Sequence, residues 1–352
     1  MAGITLQQRD LAETREQLRG WFAHRFGTDL AVSELQAANR ASGWSSETLA
    51  FSVDGAGDCG PAGEYVIRIP PAGGGLFPEY DLAGQTHTQE LLRPRGVATP
   101  SPIYYEGDSS WLGSAFMVMP RIVGRTPPDM TYNIRGWLHD AGPEVQRRLH
   151  DSFLDILATL QRIPEQDVPW LRRPTGVGVG PEIIWWREYL AWSTDNDVPA
   201  LMTQAFDWLE RNQPEDPGPL GLSWGDARLS NTIFDDTGTI VGVLDWEQAC
   251  ICPAEADFGW WLATRRQTLE VQGLTADPEL PGFDSRERVI ARYQEMIGRP
   301  LRDLEFYEMF SMIRMACCIV RIQVLLRNLG QHEHGFMRAP LLPRWAVEAL
   351  RS

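Results

Sequence analysis

Apolar residues recur at helical spacing along much of the chain. Leu11, Leu18, Trp21, Phe22 and Phe26, with charges between them, predict one amphipathic helix over 8–26. Val145, Leu149, Phe153, Ile156, Leu157, Leu160 and Ile163 predict another, ended by Pro164. Shorter helices are expected at 81–92, 182–190, 200–209 and about 286–296. A last one, over 302–328, is apolar on most sides and belongs at the centre of a core. Strand-like runs come earlier, at 35–38, 48–53, 65–69 and 115–119. Alternation over 65–69 turns Tyr65, Ile67 and Ile69 to one face and Val66 and Arg68 to the other. Strands before about residue 120 and helices after it make an α+β chain: a small antiparallel sheet over 1–120 and a larger, mostly helical part over 121–352. The segments 164–180 and 267–285 read as loops, the second suited to a lid.

One stretch in the helical part breaks that texture. Thr232-Ile-Phe and Ile240-Val-Gly-Val-Leu are β-branched runs separated by Asp235-Asp-Thr-Gly238, the chemistry of a hairpin turn. Asn231 and Asp245 are equidistant from Gly238, so antiparallel pairing sets them side by side, or one residue apart if a bulge intervenes. Asp226 lies five positions before Asn231, on the loop entering the first strand. Two carboxylates and an amide thus converge. Oxygen ligands of this kind suit Mg²⁺ held jointly with phosphates. The remaining carboxylate can orient a hydroxyl and accept its proton, which is the Asp-x-x-x-x-Asn plus distal Asp arrangement of phosphoryl transfer.

Composition narrows the chemistry. The 32 basic residues are all arginine, so a P-loop lysine, a Schiff base or a lysine on a nucleotide-binding strand is excluded. A net charge of −15 argues against nucleic acid as a partner and is compatible with a cationic substrate. The N-terminal residues carry no signal-peptide pattern and no apolar run is expected to span a membrane, so a cytoplasmic, soluble protein is expected. Cys59, Cys250, Cys252, Cys317 and Cys318 are expected as reduced thiols. Neither Cys250-Ile-Cys252 nor His332-Glu-His334 is assigned a metal. The tryptophan pairs at 185–186 and 260–261 are read as core filling.

Ser223-Trp-Gly-Asp226-Ala-Arg228-Leu-Ser-Asn231-Thr-Ile-Phe, followed by Val243-Leu-Asp245-Trp-Glu247, resembles the catalytic segment of the aminoglycoside phosphotransferase family, kin of choline kinases and, more distantly, of protein kinases. The resemblance implies a bilobal protein-kinase-like fold and transfer of the γ-phosphate of ATP, with Mg²⁺, to a hydroxyl of a small molecule. It makes Asp226 the base and Asn231 and Asp245 the metal ligands. It places the nucleotide on the loop 41–48, through Ser45 and Ser46, on Arg68 where the family carries a lysine, and on the backbone of Met119, Pro120, Arg121 and Ile122. Gln85 stands where the family has an acidic partner for that lysine, with Glu79 and Glu90 as further candidates; a glutamine would still accept a hydrogen bond from Arg68. Trp224 replaces the usual histidine before Gly-Asp and is read as scaffold. Asp257 either caps a helix or, as in the family, steadies the catalytic loop. Asp257-Phe-Gly259 is treated as a coincidental likeness to a kinase metal motif. Arg228 braces the loop or meets phosphate. Arg314 and Arg321 are ion-paired or reach an anionic substrate. The departures at Trp224, Arg68 and Gln85 also motivate a nucleotide-binding protein with little catalysis, and nucleotidyl transfer remains a third reading. The acceptor and the oligomeric state are not legible, although 128–142, 182–197 and 262–285 are expected to line the acceptor pocket.

Overall fold

The computed structural model describes residues 9–37, 45–55, 62–71, 74–274 and 280–351. The chain divides into two compact units. The first holds the described residues up to Leu91 together with Thr99–Ile122, and the second holds Leu92–Ala98 and the described residues from Val123 onward.

The first unit begins with α1 (Leu11–Phe26), whose Asp10 side chain accepts from the backbone N–H groups of Ala12 and Glu13. Its strands are β1 (Ala31–Val32), β2 (Gln36–Ala37), β3 (Glu47–Asp54), β4 (Gly63–Ile69), β5 (Tyr104–Glu106) and β6 (Phe116–Pro120). They form one antiparallel sheet ordered β1-β3-β4-β6-β5, with β2 also on β3. The alternation expected for β4 holds: Tyr65, Ile67 and Ile69 are buried with Leu18, Trp21 and Phe22 of α1. On the other face Val66, Met117 and Met119 meet Leu82 at the start of α2 (Leu82–Leu92). β1 and β5 lie outside the expected strands; two or three residues are too few to show a period.

The second unit contains α3 (Trp137–Asp140), α4 (Gly142–Leu160), α5 (Val179–Ser193), α6 (Ala200–Asn212), β7 (Leu220–Ser223), β8 (Thr232–Phe234), β9 (Ile240–Val243), β10 (Cys250–Pro253), α7 (Ala254–Val271), α8 (Arg286–Ile297), α9 (Leu304–Asn328) and α10 (Arg344–Ala349). β8 and β9 are the expected hairpin. β7 and β10 pair antiparallel, a contact that local sequence does not announce. α7 runs through 267–271, so the expected loop starts later than its sequence suggests. α9 carries the membrane expectation to a correction: by length and composition it could cross a bilayer. Here it packs against α5, α6 and α7 with residues buried on all sides, as the central helix of a core does. The four described cysteines are free, and Cys59 lies outside the described residues.

Candidate active site

β7 ends at Ser223, opposite Cys250 at the start of β10, so the chain enters the loop 224–228 beside the segment that follows Asp245. The approach is close. Gly225 has φ +84°, and a Cβ there would stand 1.9 Å from the Gln248 carbonyl oxygen, so only glycine fits.

Asp257, in the first turn of α7, holds this loop. It makes no cap on its own helix. Instead Oδ1 accepts from Ser223 Oγ (2.8 Å) and the Gly225 N–H (2.9 Å), and Oδ2 accepts from the Trp224 N–H (2.7 Å). Burial pushes the Asp257 carboxyl up, against the pull of these three donors. Of the two roles open for Asp257, the structure shows the loop brace.

Asp226 is buried at the end of the turn. Arg228 grips it with a fork, Nε to Oδ1 and Nη2 to Oδ2, each 2.6 Å. Asn231 donates to both Asp226 Oδ2 (2.9 Å) and the Asp226 carbonyl (3.0 Å). The third nitrogen of Arg228 donates to Asp129 Oδ2 at 3.0 Å. Burial disfavours the guanidinium charge, but the Asp226 and Asp129 carboxylates outweigh it and hold Arg228 well above its ordinary range. The loop-bracing role of Arg228 is therefore visible in the geometry.

The hairpin pairs Thr232 with Val243 and Ile233 with Gly242, then slips at Ile233/Phe234. Phe234 exchanges backbone hydrogen bonds with Arg125 on its far side, and Asp235 closes the turn by accepting from the N–H groups of Thr237 and Thr239. The bulge shifts the pairing by one residue. Asn231 faces Leu244, whose N–H it accepts at 2.9 Å, and Asp245 follows one position later. Asp245 has φ +64°, a left-handed conformation costly for a residue with a side chain and concentrated at functional sites. Trp224 spans the two segments: its indole N–H donates to the carbonyls of Leu244 (2.9 Å) and Asp245 (3.1 Å), and its ring stacks on Trp246.

The donor set fits a hard cation. Both N–H bonds of the Asn231 amide point at Asp226, which leaves its oxygen as the atom for a metal, and Asp245 supplies a carboxylate. Among the described residues no group of three or more His, Cys, Asp and Glu is gathered for a metal. A two-ligand site completed by phosphate oxygens is the Mg²⁺ pattern rather than that of a protein cage.

Sequence reasoning missed Gln248 and misread Arg314. Arg314, buried on α9, makes no ion pair among the described residues. Its Nη2 donates to the Gly225 carbonyl (2.7 Å) and to Gln248 Oε1 (3.1 Å), and its guanidinium lies over Trp260, Trp186 and Phe310. Nothing local in the sequence signals these contacts.

The expected nucleotide contacts all lie in the first unit. Ser45 and Ser46 precede β3, Ser46 is buried, and residues 41–44 of that loop lie outside the described residues. Arg68 on β4 is flanked by Thr48 and Met117. Met119 is buried in the apolar cluster below α2. Arg121 is exposed and donates its N–H to the Glu64 carbonyl, and Ile122 follows it. The hydrogen bond expected between Arg68 and Gln85 is not formed: Gln85 is buried on α2 and its Oε1 accepts nothing. Glu79 and Glu90 are exposed.

Comparison with known proteins gives the geometry its kin. The model of the phosphotransferase enzyme family (APH) matches residues 37–289. Acyl-CoA dehydrogenase family member 11 of Pongo abelii is 28% identical over 330 residues, covering 88% of this chain and 40% of that protein. The Homo sapiens protein of the same description is 27% identical over the same shares. The chain thus spans about two fifths of the length of these relatives. A solved structure from Ralstonia eutropha JMP134, provisionally described as an aminoglycoside phosphotransferase, superposes with a TM-score of 0.71 at 22% identity over 96% of this chain and 98% of that one. APH(2")-IIia in complex with GDP and kanamycin superposes with a TM-score of 0.57 at 14% identity, over 94% and 96%. At such identities the structural likeness establishes the bilobal protein-kinase-like fold, and the family model, matching more than half of the sequence, establishes descent: the chain belongs to the phosphotransferase enzyme family.

Proposed function

We propose that the protein transfers the γ-phosphoryl group of ATP, with Mg²⁺, to a hydroxyl of a small molecule. The observation that carries this reading is the Asp226–Asn231 contact, with Asp245 held in a left-handed conformation one residue beyond the paired position. Asp226 Oδ2 already accepts two hydrogen bonds, whereas Oδ1 accepts one. The acceptor hydroxyl would therefore take the second lone pair of Oδ1. The arginine fork holds the carboxylate in one orientation. Asp226 then mainly orients the hydroxyl and receives its proton as the new P–O bond forms, which suits a loose transition state needing little base strength. Asn231 and Asp245 would hold Mg²⁺, which when bound neutralises charge on the phosphates. Ser45, Ser46, Arg68 and the backbone of Met119, Arg121 and Ile122 would hold the nucleotide.

The names of the curated relatives and of the structural neighbours set the acceptor screen: hydroxyl-bearing acyl-CoA esters beside aminoglycosides and macrolides. A second reading, nucleotide binding with little turnover, draws on Gln85, an amide where the family has a carboxylate, whose Oε1 accepts no hydrogen bond.

Thermal unfolding with and without ATP and Mg²⁺, on wild type and Asp245→Ala, tests the site. Ligand at about 100 times its dissociation constant adds about 2.7 kcal/mol to the folded state. A Mg²⁺-dependent gain lost in the variant supports the site. No gain with any nucleotide, in folded protein, refutes both readings. A screened acceptor gaining one phosphoryl group by mass, absent in Asp226→Ala, separates transfer from mere binding and from nucleotidyl transfer.

A further inference from the structure

Gly225 is held on both sides by opposite charges. Its N–H donates to the buried Asp257 carboxylate of α7, and its carbonyl accepts from the buried Arg314 guanidinium of α9. The next residue is Asp226. The Arg314 nitrogen that holds the Gly225 carbonyl also donates to Gln248, three residues past Asp245. One buried cation therefore touches both the segment carrying the base and the segment carrying a metal ligand. It is 1% exposed, its Nε has no hydrogen-bond partner, and aromatic faces of Trp260, Trp186 and Phe310 surround it. Placing a guanidinium there is costly unless its contacts have a use, and packing alone would be served by an apolar side chain.

We propose that Arg314 is a positioning residue for phosphoryl transfer: paired across Gly225 with Asp257, it fixes the peptide that aims Asp226 and locks that peptide to the loop after Asp245. This deepens the phosphotransfer reading and rests on it for its kinetic consequence. The structural claim stands on the hydrogen bonds alone. The mechanism is geometric: the peptide linking Gly225 to Asp226 has its carbonyl fixed by a charge-assisted bond. Loss of that bond lets the plane turn and carries the Asp226 carboxylate with it. Misplacement of a reacting group by about 1 Å costs about 10²-fold in rate. The charge also acts on Asp257, whose carboxyl it pulls down against the effect of burial. A variant without the cation should hold its Asp257 proton to higher pH.

Two readouts test this in the full chain, on Arg314→Met and Arg314→Lys. The first is amide hydrogen exchange, which needs no activity. Exchange in peptides covering 221–231 and 245–249 should quicken by about tenfold or more in Arg314→Met, with α4 and α8 unchanged, because local opening is separable from global unfolding. Arg314→Lys, which keeps the charge, should recover most of the protection. The second is turnover with an acceptor found in the screen. There kcat should fall about 10²-fold in Arg314→Met with nucleotide KM within about threefold of wild type, and Arg314→Lys should regain about tenfold. The acid limb of the kcat profile should move to higher pH in Arg314→Met. Exchange that rises uniformly over the chain, or does not change, overturns the positioning role, as does a lysine variant no better than methionine. If Arg314→Met does not fold, the lysine variant alone decides, by local against uniform exchange. If wild type transfers no phosphoryl group to any acceptor, the phosphotransfer reading fails and the exchange result still decides the role of Arg314.

Discussion

Replacing Asp257 with asparagine separates what the loop brace does for stability from what it does for the reaction. The wild-type carboxylate accepts three hydrogen bonds, two at Oδ1 and one at Oδ2. An asparagine oxygen in the Oδ1 place keeps the bonds from Ser223 and Gly225. Its amide group then faces the Trp224 N–H, donor against donor. That exchange forfeits one charge-assisted bond of about 1.5–3 kcal/mol and leaves an orphaned N–H costing about 1–3 kcal/mol. Against this, a buried charge disappears, and the raised Asp257 pKa says that burial outweighs its donors. The terms oppose, so Asp257→Asn should cost less than about 2 kcal/mol, a modest effect for a buried site. Asp257→Ala, which leaves three donors without an acceptor, should cost on the order of 3–5 kcal/mol. Activity should not follow stability: with the Trp224 peptide loosened two residues before Asp226, the asparagine variant should lose about 10²-fold in kcat.

The pH dependence gives a second check. A carboxyl with a folded pKa above its ordinary 3.8 binds protons more tightly in the native state, so its contribution to stability is fully present below 3.8 and is lost as pH rises through the folded value. Urea unfolding followed by tryptophan fluorescence, at several pH values from 7 down to about 4, should show wild type gaining on Asp257→Asn as pH falls. A constant gap between the two, or asparagine and alanine variants equally unstable, would refute this account of Asp257.

Other outcomes follow from single features. Asp245→Gly relieves the positive φ, so without nucleotide it should match or exceed wild type by up to about 1 kcal/mol, while Asp245→Ala should not; both should lose the Mg²⁺-dependent nucleotide shift. His150 is fully buried between Trp261 and Phe283, both its ring nitrogens lack partners, and Asp151 lies 3.8 Å away, too far for a hydrogen bond. Burial pushes its pKa below 6.5, so the stability tied to the neutral ring is present above 6.5 and drains away as pH falls. His150→Leu should flatten the loss of stability between about pH 6.5 and 5 in chemical unfolding curves, and an unchanged slope would contradict the burial argument. Gly225→Ala should abolish transfer and unfold at much lower temperature, because its Cβ would overlap the Gln248 backbone; a functional alanine variant would mean that the two loops are not locked together.

Local pattern revealed what depends on local pattern. The alternation of Tyr65, Ile67 and Ile69 named the buried face of β4 because a strand has a period of two and that face packs on one helix. Asp226, Asn231 and Asp245 were legible because a hairpin relates positions across a turn by counting. The one-residue shift that a bulge allows is present at Ile233/Phe234, where Phe234 exchanges hydrogen bonds with Arg125, a residue more than a hundred positions away that no count across the turn includes. β7 and β10 escaped for the same reason: each is four residues long and finds its partner only in the folded chain. Asp257 carried two sequence readings, and distances chose between them. Arg314 looked like half of an ion pair because burying arginine usually requires a carboxylate. Carbonyl and amide oxygens with three aromatic faces took that place, and no periodicity encodes them.

Trp224 is the departure from the family pattern that geometry explains best. An imidazole beside the base could tie neighbouring backbone together; here the indole N–H does so, reaching the carbonyls of Leu244 and Asp245 while the ring stacks on Trp246. The contact runs from the loop of the proposed base to the residue proposed for the metal, the same two segments that Arg314 joins through Gly225 and Gln248. Such ties matter because Asp245 is held in a strained conformation, which persists only when its surroundings over-determine it.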